Sequence, residues 1–225
     1  SFTVGPHEEC AIEEAVQLAT ANDGSVTVLT LGPDEAEEQL RTALAMGANE
    51  PLLLETDGAD WGPLATANAI TRAVRDQEAN GEPFDLLLFG NESADSGGFQ
   101  IGVRVAYALG LPIVTGVKRL DVADGNATAQ REAGDGWEVY EVPLPAVFTV
   151  KEGINLPRFP SIPGKLRARR RKIEHVTPEL TPDGLIKVRL KLPSEELNDT
   201  QILGHGPEAA PKVADLLAEL GLISS

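Results

Sequence analysis

Short apolar runs alternate with amphipathic stretches through the first half of the chain, and this alternation constrains the fold more than any other feature. The apolar runs predict strands at Val26–Leu31, Leu52–Leu54 and Asp85–Phe89, with a further strand beginning at Ile113. The stretches around them have apolar residues at helical spacing and predict helices at Ile12–Ala21, Pro33–Gly47, Leu64–Arg75 and Gln100–Leu109. Such alternation produces parallel strands joined by right-handed crossovers. The sequence therefore predicts an α/β fold with a doubly wound, mostly parallel sheet.

The pattern changes after Thr115, where turn residues and short strands replace the helices. Asp124-Gly125 and Gly134–Gly136 are typical hairpin turns, and strands are predicted at Val139–Val142 and Ala146–Val150. A β-hairpin insertion is therefore expected to decorate the α/β core. A last helix, Pro207–Leu220, follows a polar loop and carries an apolar stripe that needs a partner. We expect residues 1–175 to form the α/β domain and residues 176–225 to form a C-terminal arm that packs on a partner subunit.

Charge and composition exclude several classes of protein. The net charge of -16 argues against nucleic acid as a partner, because binding to phosphates needs a basic face. A single cysteine, Cys10, excludes an internal disulfide and fits the reducing cytoplasm, which is the predicted location. There is no run of 18 or more apolar residues, so no transmembrane segment is expected.

A glycine-rich turn follows the strand that ends at Phe89 and leads into the next helix. In doubly wound sheets, ligands bind beyond the carboxyl ends of strands, where free N–H groups at a helix start attract anions. Gly97, Gly98 and Gly102 permit close approach of a ligand, and Gln100 can reach a phosphate or sugar oxygen. The turn lacks a Walker lysine and does not match the dinucleotide fingerprint. A nucleotide site and a glycine-rich loop without a ligand both remain open on this pattern.

No set of side chains predicts catalysis or a metal centre. His7, His175 and His205 lie far apart in the sequence, so we interpret them as surface or capping residues. Cys10 lies at a helix start without an evident base and is expected to be a small buried side chain. The acidic residues show no paired pattern, which argues against a Mg²⁺-dependent nucleotide hydrolase. We therefore assign neither catalytic residues nor metal ligands.

Four stretches resemble the β subunit of electron transfer flavoproteins, in order and in spacing along the chain. They are CAIEEAVQLA from Cys10, RTALAMGANE from Arg41, QREAGDGWEVYEVPLPAVFT from Gln130 and NLPRFPSIPGKLRARRRKIE from Asn155. The resemblance covers nearly the whole chain. It departs from the family at the start, where the opening strand of the type K-I-L-V-x-V-K is absent, so that part of a nucleotide site is not assigned here.

The resemblance implies that the glycine-rich turn holds an adenine nucleotide, so that the fold is of the adenine-nucleotide-binding type. The expected ligand is AMP, with a second FAD as the alternative found in bifurcating members that oxidise NADH. The redox FAD is expected to be shared with, and held mainly by, the α subunit. Expected contacts are Leu31, Asp95, Ser96, Gly97, Gly98, Phe99, Gln100, Ile101 and Gly102. Phe99 and Ile101 replace polar residues of some members.

The resemblance also implies partners and a role. The protein would be an electron carrier subunit, not an enzyme, that pairs with an α subunit. It would take electrons from acyl-CoA and related dehydrogenases and pass them to a membrane quinone oxidoreductase. The expected docking residues are Ile162, Pro163 and Arg167, in a segment with a basic run behind it. The alternatives are a flavin-bifurcating NADH-oxidising subunit and, further away, a nucleotide-hydrolysing or nucleotide-sensing protein.

Overall fold

The computed structural model describes residues 3–59, 61–81, 83–93, 97–181, 188–189, 191–192 and 202–223. The chain divides into two compact units, Ser1–Ile186 and Lys187–Ser225. The predicted boundary near residue 175 stays a prediction. In the part of the chain that the structure describes, no helix is both long enough and apolar enough to cross a membrane.

Helices and strands alternate through the first half of the larger unit, as the sequence predicts. In chain order they are α1 (Pro6–Ala21), β1 (Thr27–Gly32), α2 (Glu37–Met46), β2 (Glu50–Glu55), α3 (Pro63–Asn80), β3 (Leu86–Gly90), α4 (Ile101–Leu109) and β4 (Ile113–Ala123). Helix α1 begins at Pro6, earlier than predicted, because proline is accepted in a first helical turn. Helix α2 ends where predicted, at Gly47, whose positive φ lets it close the helix.

Strands dominate the second half of the larger unit. They are β5 (Asn126–Ala133), β6 (Gly136–Pro143), β7 (Ala146–Val150) and β8 (Glu174–Val176), with helix α5 (Ile162–Arg170) between the last two. The turn between β4 and β5 contains only Asp124 and Gly125, both with positive φ, as in the hairpin turns that match strand twist. Helix α6 (Ala210–Glu219) belongs to the smaller unit and follows a short 3-10 turn, Gly206–Ala209.

The strands form two sheets. Strands β1, β2 and β8 are parallel to one another, in the order β1-β2-β8. The second sheet has the order β3-β7-β4-β5-β6, in which β3, β7 and β4 run parallel while β5 and β6 add the predicted antiparallel hairpin. The α/β class and the parallel strands are thus confirmed, although the parallel strands are divided between two sheets.

The buried core explains why β7 is apolar at four of its five positions, with Thr149 as the exception. All five residues of β7 are buried, since β3 and β4 flank it and side chains cover both of its faces. A second core cluster surrounds α3, where Ile70 and Val74 pack with Leu54 of β2 and are joined by Leu87 and Phe89 of β3. Both sheets therefore contribute to the hydrophobic core around α3.

Two elements were not predicted. The segment expected to be a proline-rich loop and basic run contains helix α5, because Ser161 caps the helix by accepting a hydrogen bond from the Gly164 amide (3.1 Å) and Pro163 lies in the first turn. Strand β8 has only three residues, all exposed, and forms because it pairs with Leu52–Leu54 of β2.

Candidate functional site

The glycine-rich turn leads directly into helix α4 at the carboxyl end of β3. Asp95 and Ser96 lie outside the described residues. Gly97 and Phe99 have positive φ, which turns the chain sharply before the helix begins at Ile101. Four N–H groups at the start of an α-helix have no partner within it, so this end of α4 suits an anion.

Gly102 brings the first turn of α4 against the sheet. A Cβ atom placed on Gly102 would lie 2.8 Å from Cγ2 of Thr149 and 3.3 Å from Cγ of Phe89. Both distances are shorter than ordinary packing allows, so any side chain here would push α4 away from β3 and β7. Glycine at this position therefore fixes how closely the turn approaches the strand ends.

Gln100 has a local partner, Arg104, on the first turns of α4. Its side-chain oxygen accepts hydrogen bonds from Nε and Nη2 of Arg104, at 3.1 and 2.9 Å. The spacing of four residues within a helix places two such side chains side by side. Arg104 is thereby added to the candidate site, and it places a cation one turn along the helix from the Gly-rich segment.

A cavity of about 420 Å³ lies beside this turn. Phe99 and Val103 line it from α4 and the turn, while Gly116, Arg131 and Lys151 line it from the neighbouring strands. Leu31 does not line the cavity; like Ile101, it packs against the core cluster around α3. The structure thus brings Phe99 to the cavity and leaves Leu31 in the apolar layer.

A β-bulge shapes the far wall of the cavity. The register between β4 and β7 shifts between Val114 and Val117, and Gly116 in the bulge has a φ of 70°. The Gly116 amide donates to Oγ1 of Thr149 (2.9 Å), which donates in turn to Oδ1 of Asn91 (2.7 Å). This chain of hydrogen bonds joins the strand ends that surround the cavity. No local sequence pattern predicts it.

Arg131 is held in place on the hairpin. Its Nε donates to Glu138 (2.6 Å), and its guanidinium lies 5.3 Å from the centroid of the Tyr140 ring. Hydrogen bonds from Tyr140 and from Arg131 keep the pKa of Glu138 below its usual value. Arg131, which pairs with Glu138, and Lys151 therefore give the cavity two cationic groups, and Glu132 lines it with a carboxylate.

His175 lies between two carboxylates in a separate cluster. Its Nδ1 is 2.8 Å from Oε2 of Glu55 and its Nε2 is 2.9 Å from Oε1 of Glu37. Both ring nitrogens can donate at once only when the imidazole is protonated. The hydrogen bond with Glu55, and after it the contact with Glu37, raises the pKa of His175 above its ordinary 6.5.

These contacts predict a pH-dependent contribution to stability. A raised pKa in the folded state means that the stabilisation is complete below 6.5, the pKa of the unfolded state, and is lost as pH rises through the folded value. His175→Gln is therefore expected to lower the free energy of unfolding by about 0.5–1 kcal/mol near pH ~6 and by less near pH ~9. Urea unfolding at both pH values measures this. His205→Gln, which changes an exposed histidine outside the cluster, serves as the control, and an equal loss at both pH values would contradict the assignment.

Asp34 lies close enough to Glu37 and His175 for their ligand atoms to fall within 4.8 Å of one another. The hydrogen bonds from His175 to Glu37 and Glu55 account for the position of the imidazole without an ion. The prediction that the histidines hold no metal stays a prediction.

The predicted docking residues lie on α5. Ile162 is the first residue of the helix, Pro163 the second, and Arg167 lies in its basic last turn. Ile162 is 77% exposed, which is high for a large aliphatic side chain. The helix is fixed against α2, because Gly164 lies so close to the Ala45 carbonyl that a Cβ atom would be 2.6 Å from its oxygen.

Comparisons with known proteins agree with this architecture. A model of the family described as "Electron transfer flavoprotein domain" matches residues 2–181. The chain is 35% identical over 177 residues to the electron transfer flavoprotein subunit beta of Bacillus subtilis, which covers 78% of this chain and 67% of that protein. It is 38% identical over 175 residues to the Mycobacterium bovis subunit beta, covering 75% of this chain and 64% of the relative.

A third relative extends the similarity through the C-terminal part of the chain. The subunit beta of Syntrophomonas wolfei is 34% identical over 217 residues, which covers 96% of this chain and 83% of the relative. The family match and these identities cover both the glycine-rich turn and the segment that contains α5. The chain therefore belongs to the electron transfer flavoprotein family, as a β subunit.

Proposed function

We propose that this chain is the β subunit of a heterodimeric carrier that moves electrons from acyl-CoA or related dehydrogenases toward a membrane quinone oxidoreductase. The observation that carries the proposal is the family match across residues 2–181. On this proposal the chain catalyses no bond-making step of its own. It covers the flavin, binds a nucleotide and forms part of the surface that partners recognise.

We infer that the nucleotide is AMP, bound at the turn that contains Gly97–Gly102, with Asp95 and Ser96 among its contacts. Three observations fit an adenine nucleotide there: the start of α4 offers unpaired N–H groups, Gly102 holds that start against the sheet, and Arg131 and Lys151 line the adjoining cavity. The cations suit a phosphate. The same features would accept a second FAD, the alternative expected of a bifurcating NADH-oxidising subunit.

The redox FAD belongs mainly to the α subunit on this proposal, and the C-terminal arm, residues 176–225, packs on that subunit. Helix α6 supports this role, because its stripe of Val213, Leu216, Leu217 and Leu220 continues through the helix while no residue of α6 is buried. Deletion of Glu208 to Ser225 is expected to weaken association with an α subunit.

Nucleotide and flavin analysis of the purified heterodimer tests the proposal. After co-expression with an α subunit, a denatured extract is expected to contain one AMP and one FAD per heterodimer, and an acyl-CoA dehydrogenase is expected to reduce the flavin. Two FAD per heterodimer, with reduction by NADH, would establish the bifurcating alternative. Steady release of phosphate from ATP would instead favour the nucleotide hydrolase and would overturn the carrier proposal.

A further inference from the structure

Three large apolar side chains project from the segment that precedes and begins α5. Leu156 is 90% exposed, Phe159 is 97% exposed and Ile162 is 77% exposed. They recur at intervals of three residues in the sequence, and we call the segment that carries them the 156–162 surface. Exposed apolar patches on folded proteins mark places where other molecules bind.

Arg158, which lies between Leu156 and Phe159, contacts the body of the larger unit instead. Arg158 forms a bidentate ion pair with Glu13 of α1, in which Nε donates to Oε2 and Nη2 donates to Oε1, each at 2.8 Å. The Arg158 backbone amide also donates to Oε2 of Glu13, at 3.2 Å. The Glu13 side chain is only 3% exposed, so the segment covers it.

Asn155 adds a second attachment to α1. Its side-chain amide donates to the Cys10 carbonyl (3.0 Å) and to Oε2 of Glu14 (2.8 Å).

Burial would by itself raise the pKa of Glu13, but hydrogen bonds from Arg158 and Gln17 outweigh the effect of burial and keep that pKa below its usual value. The carboxylate of Glu13 therefore has Arg158 as its cationic partner, and Gln17 donates a further hydrogen bond at 2.7 Å.

The segment is fixed beyond the ion pair as well. Ile154 packs against the buried residues Cys10 and Val150, and Ser161 caps α5, which lies against α2. Departure of the 155–160 backbone from α1 would leave the Glu13 carboxylate buried without its cation, which is costly. The ion pair thus holds the backbone in one conformation while the exposed side chains remain available.

Basic residues next to the 156–162 surface indicate the chemistry of its partner. Lys165, Arg167, Arg169 and Arg170 follow within α5, in a chain whose net charge is -16. No ion pair is recorded for any of these four within the described ranges. A protein with an apolar recess bordered by acidic residues is complementary to this surface.

We propose that the Glu13–Arg158 ion pair positions the 156–162 surface for an electron-donating dehydrogenase, so that Leu156 and Phe159 dock together with Ile162. The inference rests on the proposed function and extends it to residues that never touch the partner. A segment that is already ordered loses less conformational entropy when the partner binds. Loss of the ion pair therefore weakens docking without altering the electron-transfer step.

The test uses the heterodimer with a purified acyl-CoA dehydrogenase and measures flavin reduction at increasing heterodimer concentration. Arg158→Gln is expected to raise the half-saturating concentration roughly threefold to tenfold while the maximal rate stays unchanged. Glu13→Gln together with Arg158→Gln is expected to produce no larger change than the single variant, because both remove one interaction. Amide hydrogen exchange at residues 155–160 is expected to become faster in both.

Two further variants keep the test decisive. Arg158→Lys retains the charge but loses the two-point contact, so it supplies the measurement if Arg158→Gln does not assemble. Its half-saturation is expected to rise by less than that of Arg158→Gln. Arg72→Gln removes an exposed arginine that pairs with Glu179 away from this segment, and it is expected to change neither half-saturation nor exchange at residues 155–160.

The outcomes separate this inference from the proposed function. Ile162→Ala measured in the same assay reports whether the surface docks dehydrogenases at all. If Ile162→Ala raises half-saturation while the Arg158 variants only speed exchange, the ion pair is merely structural and the inference fails. If none of the variants changes the half-saturating concentration, the hypothesis that dehydrogenases dock at this surface is contradicted as well. A fall in maximal rate with unchanged half-saturation would also overturn the positioning role.

Discussion

Replacing Gly102 with valine is expected to lower the free energy of unfolding by about 1–3 kcal/mol and to deplete the purified heterodimer of nucleotide. The new Cβ atom would lie 2.8 Å from Cγ2 of Thr149, a residue that is 4% exposed and has little room to move. Thr149 also joins the Gly116 amide to Asn91, so its displacement would disturb the strand ends around the cavity. Helix α4 would move outward and its unpaired N–H groups with it.

Gly136→Val provides the matched control for this change. Gly136 begins β6 with φ outside the left-handed region, and no atom lies within 4 Å of a Cβ placed there. Thermal unfolding and the nucleotide content of a denatured extract are measured for both variants. If folded Gly102→Val protein retained the wild-type nucleotide content, the start of α4 would not be part of the nucleotide site.

Local sequence patterns were sufficient to predict the helices and strands of the α/β core. Strand β7 begins and ends at the predicted residues, Ala146 and Val150, because a short apolar run buried on both faces is distinctive. The hairpin turn at Asp124-Gly125 could also be predicted from the sequence, because few residue types adopt positive φ readily. In both cases the information lies within a few neighbouring residues.

Helix α5 and strand β8 were missed for opposite reasons. The two prolines Pro160 and Pro163, taken by themselves, indicate a loop. In the first turn of a helix, however, the backbone N–H groups have no partner within the helix, so a proline there costs no hydrogen bond. Strand β8 is short and polar, and it exists because β2 offers an edge to pair with. Helix α5 could have been recognised from Ser161 as a cap, whereas β8 depends on tertiary contact.

The long-range contacts that shape the candidate sites could not be predicted from the sequence, whereas the turn before α4 and one local contact could. The turn before α4 was placed correctly because it follows a strand. The pairing of Gln100 with Arg104 could also have been predicted, because residues four apart are neighbours on a helix. Glu13 and Arg158, by contrast, are 145 residues apart in sequence. Ion pairs of that separation are created by packing, and a single sequence carries no local signal for them.

Replacing Ile162 with alanine is expected to weaken docking of partner dehydrogenases by roughly tenfold to a hundredfold. Burial of a large aliphatic side chain in an interface contributes about 1–3 kcal/mol, which corresponds to that change in affinity. Ile162 is exposed at the first turn of a helix whose cap and packing do not involve its side chain. Its removal should therefore leave the free energy of unfolding within about 0.5 kcal/mol of the wild-type value.

The measurement is the rate of flavin reduction by a cognate dehydrogenase as heterodimer concentration and salt are varied. Half-saturation is expected to rise for Ile162→Ala, while the arginines of α5 make both proteins lose affinity in parallel as salt increases. Leu180→Ala, a change at another exposed aliphatic side chain of the larger unit, is the control and should behave as wild type. Equal half-saturation for the Ile162 variant and the wild type would contradict the role of Ile162 as a docking anchor.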